Sequence, residues 1–191
     1  MILGSHNSWS YARPKKWWMK LLRFTAKCQD VDIRGQYEDY GVRCFDLRIR
    51  EKDGRFIIAH GLIEYSITLG ELQENLRYLN KKGDACVRLI LEIRTEKALT
   101  NDQIVFFIKY CKKFERYYKN IKFWCGKVLY GYDTIYNFDY EPTCEEKYAS
   151  VCKPKLIDDL YPRRFAKQNN KKILEEGTDK DILLIDFVNI K

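Results

Sequence analysis

The chain has 191 residues, 46% of them hydrophobic, and carries 35 Lys and Arg residues against 27 Asp and Glu residues. This length can bury one proper core and no low-complexity stretch divides it, so we expect a single domain over residues 1–191. The net charge of +8 favours an anionic partner, such as a phosphate, a nucleic acid or an acidic membrane surface. No apolar run could span a bilayer and no secretory leader opens the chain. We therefore expect a cytoplasmic or peripheral membrane protein, or a secreted one if a signal peptide was removed.

Seven cysteines are present, an odd number with no C-x-x-C pair. Several lie in apolar periodic segments, where a free cysteine behaves as a small hydrophobic residue. We expect them to be buried rather than to form a metal cluster. They are Cys28, Cys44, Cys86, Cys111, Cys125, Cys144 and Cys152.

The chain begins with a short apolar strand and a basic aromatic segment. Residues 1–6 predict a buried strand that delivers His6 at its C-terminal end. Residues 14–24 predict a helix in which Trp17 and Trp18 stand among lysines. Such a segment suits a membrane interface, where indole rings lie at headgroup level and lysines meet anionic lipid. The alternative is a helix that packs its aromatic stripe on the body of the protein.

Residues 41–50 have the pattern of a buried strand with charges on one face. Side chains alternate along a strand, so Asp46 and Arg48 lie together with Cys44, opposite an apolar face. A carboxylate and a guanidinium are costly to bury, and they are usually tolerated only when paired or used. The segment by itself also fits a solvated edge strand.

Strands and helices alternate through the middle of the chain. The predicted elements are a turn at 52–55, strands at 56–61 and 86–94, and helices at 68–83 and from Thr100 onward. The first of these strands ends on His60. Thr68 forms a capping box with Glu71, and Gly83 follows the end of that helix.

The second half has strand-like pieces at 121–124, 127–132 and 146–151, a helix at 163–176, and a buried strand at 181–189 that holds Asp186. Apolar strands that alternate with helices indicate a parallel sheet covered by helices. The predicted fold class is therefore α/β, and a closed barrel is one such arrangement. The helices are too few for eight full units, so a barrel would be small and irregular.

Both histidines of the chain and several charged residues fall near the C-terminal ends of separate predicted strands. These residues are His6, Asp46, Arg48, His60, Arg94 and Asp186. In a parallel barrel such ends share one face, where active sites are built. Two histidines beside a guanidinium suit phosphodiester cleavage, because one imidazole takes a proton from a nucleophilic hydroxyl while the other protonates the leaving oxygen. A zinc site is less expected, because the histidines lack close paired spacing.

At these residues the chain resembles the X-domain of phosphatidylinositol-specific phospholipase C, in its bacterial form. The resemblance runs from residue 2 to about residue 95. Its segments are Ile2-Leu-Gly-Ser-His6-Asn-Ser8, Gln29-Asp-Val-Asp-Ile-Arg-Gly-Gln-Tyr37, Gly41-Val-Arg-Cys-Phe-Asp46-Leu-Arg48 and Ile58-Ala-His60-Gly61. Beyond residue 95 it rests on Gly126-Lys127, on Glu146-x-Tyr148 and on the strand of Asp186.

The resemblance implies an irregular TIM-type barrel in which the inositol 2-hydroxyl attacks its own phosphate, releasing diacylglycerol and a cyclic inositol phosphate. It implies that His6 is the general base and His60 the general acid. Arg48 would supply the cation that calcium supplies in calcium-dependent relatives. Asp46 would orient the site, and Asp186 would be the partner of the His6 imidazole.

The same resemblance implies substrate-binding roles for Arg94, Glu146, Tyr148 and Asn7, and membrane contact through Trp17 and Trp18. Asn7 departs from the bacterial pattern, which has an aspartate there to support the general acid. Asparagine at this position is typical of calcium-dependent members, so calcium held by Asn7 and Asp46 is the alternative. Glu92 could join such a set, but Arg48 and Arg94 would crowd the cation, and we expect no metal and no cofactor.

The expected partners are a phospholipid substrate and an anionic membrane surface, with no nucleic acid and a monomeric chain. One alternative is a related phosphodiesterase that acts on another headgroup, such as a glycerophosphodiester. Those enzymes usually open with His-Arg-Gly, whereas this chain has Ser5-His6-Asn7. The other alternative is a catalytically silent membrane-binding barrel, which would have little reason to keep both histidines with Asp46 and Arg48.

Overall fold

The computed structural model describes residues 1–93, 100–129, 135–136, 148–150 and 161–190. The described strands are β1 (Ile2–Ser5), β2 (Cys44–Lys52), β3 (Arg55–His60), β4 (Ile63–Glu64), β5 (Cys86–Ile93), β6 (Lys122–Leu129), β7 (Ile135–Tyr136), β8 (Tyr148–Ser150) and β9 (Ile182–Ile185). The described α-helices are α1 (Met19–Leu22), α2 (Ile33–Glu38), α3 (Leu69–Lys82), α4 (Asn101–Tyr117) and α5 (Pro162–Glu176). Short 3₁₀ helices lie at Ser8–Tyr11 and Arg23–Thr25.

The strands form one mixed sheet in the order β7-β6-β5-β2-β1-β9-β8, with β3 and β4 attached to β2. Neighbours from β8 to β6 are parallel, whereas β7, β3 and β4 pair in antiparallel fashion. The fold is therefore α/β, as expected. The strand β1 pairs with both β2 and β9, but β7 and β8 do not pair with each other within the described residues. The described strands thus leave the sheet open and do not by themselves make the predicted barrel.

The strand that carries His60 runs opposite to the predicted direction. A two-residue turn at Asp53 and Gly54, with φ angles of 52° and 73°, joins β2 to β3. Positive φ at both central positions gives the tight turn whose twist matches an antiparallel hairpin. The prediction that 56–61 is a parallel strand is therefore wrong. The hairpin places Ile58 opposite Ile49 and so returns His60 to the level of the middle of β2.

The helix boundaries follow the capping residues closely. Thr68 accepts a hydrogen bond from the Glu71 backbone N–H, and the Glu71 side chain accepts one from the Thr68 backbone. A second capping box joins Thr100 to Gln103. The first box was predicted, and the second confirms the predicted helix start at Thr100. The helix α3 buries Leu72, Leu76 and Leu79, whereas Leu69 in its first turn is exposed.

The N-terminal region departs from its pattern. The predicted helix at 14–24 is reduced to the single turn Met19–Leu22 followed by a 3₁₀ turn. The helix α2 was not predicted, although Asp32 caps it by accepting a hydrogen bond from the Gly35 backbone N–H. A six-residue helix is too short to produce a periodic apolar pattern, so only its cap could have indicated it.

The core lies on both faces of β2, where every residue from Cys44 to Arg50 is buried. This excludes the solvated edge strand. The apolar face packs into a cluster with β5, α3, α4 and Trp9. The described cysteines are buried and free, as predicted, whereas Cys144 and Cys152 lie outside the described residues. Among the described helices, none combines the length and apolar character needed to cross a bilayer.

Candidate active site

His6 and Asp186 meet at the ends of two parallel strands. In the β1–β9 pairing Ser5 lies opposite Ile185, so the next residue of each chain segment stands at the same edge. His6 Nδ1 lies 2.8 Å from Asp186 Oδ1. The two residues that follow, Asn7 and Phe187, have positive φ angles of 44° and 47°. Asparagine adopts this left-handed backbone fairly readily, but for the bulky Phe187 it is uncommon, and neither strand continues through it.

A buried glutamine fixes the two strand ends to each other. Gln29 Nε2 donates to the carbonyls of His6 at 3.1 Å and Ile185 at 3.0 Å, and Gln29 Oε1 accepts from the Val188 N–H at 3.2 Å. Asn170 of α5 donates from Nδ2 to the Asp186 carbonyl at 2.8 Å. The sequence analysis assigned neither Gln29 nor Asn170 a role. The position of Gln29 at the start of the family-like segment 29–37 was the one signal that could have indicated it. Together they hold the backbone that presents the His6–Asp186 pair.

Asp46 lies at the centre of a buried charge network. Its Oδ2 accepts from Arg48 Nε at 3.0 Å and from the Asn7 backbone N–H at 3.0 Å. Its Oδ1 is 3.5 Å from Arg88 Nη1, because Arg88 stands opposite Asp46 in the β2–β5 register. Burial raises the pKa of Asp46, but Arg48 and Arg88 outweigh burial and hold this pKa well below its usual range. The carboxylate is therefore ionised and anchors two guanidinium groups.

His60 stands between a cation and an anion. Its Nδ1 is 3.4 Å from Arg48 Nη1 and 3.4 Å from Glu92 Oε1. Burial, and then Arg48, lowers the pKa of His60 below its ordinary value of 6.5, while Glu92 pulls this pKa upward. The imidazole is therefore neutral near pH 7 in the absence of a bound anion.

The two imidazole rings belong to one cluster. Their centroids lie 5.6 Å apart with the ring planes at 87°, and His6 Nε2 is 3.8 Å from Asp46 Oδ2. The structure thus brings together five predicted residues: His6, Asp46, Arg48, His60 and Asp186. Asp46 and Arg48 lie within β2 rather than at its end, because β2 continues past the site into the β3 hairpin.

Comparison with known proteins gives a likeness of fold. No protein-family model matches the chain, and no curated protein matches it. Among solved structures it superposes on phosphatidylinositol-specific phospholipase C from Listeria monocytogenes with a TM-score of 0.55, covering 97% of this chain and 87% of that chain. The fold is similar to that of a bacterial phospholipase C. At 15% sequence identity, the likeness concerns the fold alone.

The predicted substrate-binding residues are placed differently from the five-residue cluster. Asn7 lies beside it and contacts it through the backbone, while its side-chain Nδ2 donates to the Ala26 carbonyl at 3.2 Å. The backbone of Tyr148 lies opposite Ile182, at the far end of β9 from Asp186, so the structure does not bring Tyr148 to this edge. Arg94 and Glu146 lie outside the described residues.

The donors at this site do not fit calcium. Each oxygen of Asp46 already faces a guanidinium, and a divalent cation between Asp46 and Glu92 would lie against Arg48. In the described part of the chain, the one set of three metal-ligating side chains within 4.8 Å of one another is His6, Cys28 and Asp186. Burial, and then Asp186, raises the pKa of the Cys28 thiol well above its ordinary value, so this sulfur stays protonated and is a poor metal ligand.

The segment around Trp17 and Trp18 exposes large apolar side chains. Trp17 is 76% exposed and Trp18 is 39% exposed, and Leu21 and Phe24 are exposed beside them. We call these four residues the tryptophan patch. Lys15, Lys16 and Lys20 are exposed around it. Met19, instead of the tryptophans, anchors α1 to the core. The indole rings thus do not form the internal aromatic stripe that was the alternative interpretation.

Proposed function

We propose that this protein is a phosphodiesterase of the phosphatidylinositol-specific phospholipase C type, which cleaves the phosphodiester of a phospholipid headgroup without a metal ion. The observation that carries the proposal is the pair of imidazoles 5.6 Å apart, one bound to Asp186 and the other beside Arg48. The fold likeness to the Listeria monocytogenes enzyme supports it. A small irregular (β/α) barrel as the complete fold is part of the same proposal, and the fold likeness supports it.

In the first step His6 acts as general base. Asp186 holds Nδ1, so the imidazole takes the proton of the inositol 2-hydroxyl on Nε2. The oxygen of that hydroxyl attacks the phosphorus of the same headgroup. The imidazolium that forms is stabilised by the Asp186 carboxylate at 2.8 Å and by Asp46 at 3.8 Å.

In the same displacement His60, in its protonated form, gives its proton to the oxygen of diacylglycerol as the phosphorus–oxygen bond breaks. The products are diacylglycerol and a cyclic inositol phosphate. Arg48 neutralises the phosphoryl oxygens as charge develops, and Asp46 fixes its guanidinium in place. A bound phosphate anion near His60 favours the imidazolium and so loads the acid only when substrate is present.

The tryptophan patch supports a membrane-bound substrate. Exposed indole rings surrounded by lysines match the headgroup layer of an anionic bilayer, where the rings are half-buried and the lysines meet lipid phosphates. Four apolar side chains exposed in one short segment are unfavourable in water alone. We therefore include peripheral membrane contact through this segment in the proposal.

The test is incubation of the purified protein with a panel of phospholipids in EDTA, followed by phosphorus NMR of the water-soluble products. We expect a cyclic inositol phosphate from phosphatidylinositol. Cleavage confined to another headgroup would support the related phosphodiesterase instead. Vesicle binding without any product would indicate a silent membrane-binding barrel, and a strict calcium requirement would contradict the metal-free mechanism.

A further inference from the structure

A buried carboxylate outside the five-residue cluster is held firmly against His60. Glu92 of β5 is 4% exposed, and its Oε1 accepts from the Gly61 backbone N–H at 2.9 Å. Its Oε2 lies 3.4 Å from Arg50 Nη2, and that same nitrogen donates to the Gly61 carbonyl at 2.5 Å. Glu92 is thus fixed both by the backbone that follows His60 and by a buried guanidinium.

In the described part of the chain, Glu92 is the only carboxylate within 4 Å of a His60 ring nitrogen. Its Oε1 lies 3.4 Å from Nδ1, close to a hydrogen bond even without a ligand. Asn7 is directed elsewhere, with its amide on the Ala26 carbonyl and its backbone N–H on Asp46. A carboxylate that faces His60 is therefore supplied by β5.

The two neighbours of Nδ1 favour opposite forms of the ring. Arg48 Nη1 can only donate, so it stabilises the neutral tautomer whose proton is on Nε2. Glu92 can only accept, so it stabilises a proton on Nδ1, which is present both in the imidazolium and in the neutral ring left after Nε2 has given its proton away. Glu92 therefore stabilises both the His60 imidazolium and the neutral ring that remains after proton transfer from Nε2.

We propose that Glu92 is the positioning residue of His60, which holds Nδ1–H and thereby directs Nε2–H toward the leaving oxygen. This assignment rests on the proposed function for its chemistry, since a general acid needs a proton to give. Arg50 contributes indirectly, because it fixes Glu92 and the Gly61 carbonyl in one arrangement. The alternative is that Glu92 merely neutralises the buried Arg50 and has no effect on the imidazole.

The test compares Glu92→Gln with Glu64→Gln. Glu64 is a matched control, because it is also a buried glutamate and lies on β4, which pairs with β3. Its Oε1 is paired with Lys52 Nζ at a distance of 2.6 Å, and it forms no ion pair with either histidine in the described contacts. The chain has two histidines, so proton NMR resolves two ring titrations, which a His6→Ala variant assigns. We expect Glu92→Gln to lower the titration midpoint of His60 by about one pH unit or more, and Glu64→Gln to leave it unchanged.

Activity provides the second measurement. The fall of kcat/KM at high pH should move downward with the His60 midpoint in Glu92→Gln, while Glu92→Asp, which keeps the charge, should retain most of the wild-type profile. An unchanged midpoint in folded Glu92→Gln would overturn the assignment. If Glu92→Gln does not fold, the ¹⁵N chemical shifts of the His60 ring in the labelled wild type provide the test. A neutral His60 that carries its proton on Nε2 at every pH measured would also overturn the assignment.

The two proposals fail in different ways. A protein that cleaves no phosphodiester but shows the lowered His60 midpoint would contradict the proposed function and leave the Glu92–His60 coupling in place. If the protein releases a cyclic phosphate but Glu92→Gln changes neither the His60 titration midpoint nor the pH profile of kcat/KM, only the positioning role is contradicted.

Discussion

His6 Nδ1 lies 2.8 Å from Asp186 Oδ1, although the two residues are 180 positions apart in the chain. The contact exists because β1 and β9 are parallel neighbours that stop at the same level. An imidazole bound through Nδ1 presents Nε2 on the opposite side of the ring, where a base can meet its substrate. The pair is therefore the most specific part of the proposed site and the first to test.

Asp186→Asn should lower kcat by roughly 10²- to 10⁴-fold, because an amide cannot stabilise the His6 imidazolium with a negative charge. His6→Ala should have an effect of similar size. Both variants should keep the circular dichroism spectrum of the wild type. Asp179→Asn is the matched control, since that exposed carboxylate contacts its sequence neighbours Thr178 and Lys180 and neither histidine in the described contacts. Near-normal turnover by either the Asp186→Asn or the His6→Ala variant would rule out the assigned base.

Arg48→Ala should lower activity by roughly 10²- to 10³-fold, the usual effect of removing one group that stabilises a developing oxyanion. The assay is kcat in the presence of EDTA, which should leave the wild type fully active. Arg43→Ala provides the control, because Arg43 is a solvent-accessible arginine whose partner Asp84 lies outside the site. Wild-type activity that vanished in EDTA and returned with calcium would show that Arg48 does not replace a metal.

The pH profile should report the state of His60. Burial, and then Arg48, lowers the pKa of His60 below 6.5, and a general acid acts only when protonated. As the pH rises through this lowered pKa, kcat/KM should fall by roughly tenfold per pH unit, so the optimum should lie below 6.5. In contrast, an optimum above about pH 8 would mean that another group donates the proton.

The stability of the fold should depend on His60 in the opposite direction to activity, decreasing toward low pH instead of toward high pH. Because the folded protein binds the His60 proton less tightly than the unfolded chain does, protonation favours unfolding as the pH falls below 6.5. The free energy of unfolding should therefore decrease between about pH 6.5 and 5, and His60→Gln should flatten that decrease. Urea denaturation at several pH values measures this free energy in the wild type and in His60→Gln. If the free energy of unfolding depended on pH equally in the two proteins, the lowered pKa of His60 would be contradicted.

Sequence and structure agree where the signal is local. The capping boxes of Thr68 and Thr100, and the shared face of Asp46 and Arg48, depend on residues a few positions apart. The direction of β3 was predicted wrongly, although the Asp53-Gly54 turn already indicated a hairpin. That turn determines the position of His60, since it sends the chain back along β2.

The contacts that sequence could not supply are those between distant strands. Arg88 reaches Asp46 only because β5 pairs with β2 in one register, and a shift of one residue would turn it to the other face. Glu92 was considered as a calcium ligand, yet the same register directs it to His60. Such pairings follow from the packing of the whole sheet, which no single segment encodes.

The tryptophan patch gives the last prediction. Replacing Trp17 and Trp18 by alanine should weaken binding to vesicles that contain anionic lipid and reduce activity on bilayers, while hydrolysis of a soluble analogue stays nearly intact. Binding by the wild type should also weaken with salt, because the lysines act through screened charges. Trp9 is the contrast, since it is fully buried and its replacement by alanine should cost about 3–5 kcal/mol of unfolding free energy. The contrary result is a double variant whose melting temperature falls as far as that of Trp9→Ala while its vesicle binding stays normal. That result would show that the exposed indoles stabilise the fold instead of binding the membrane.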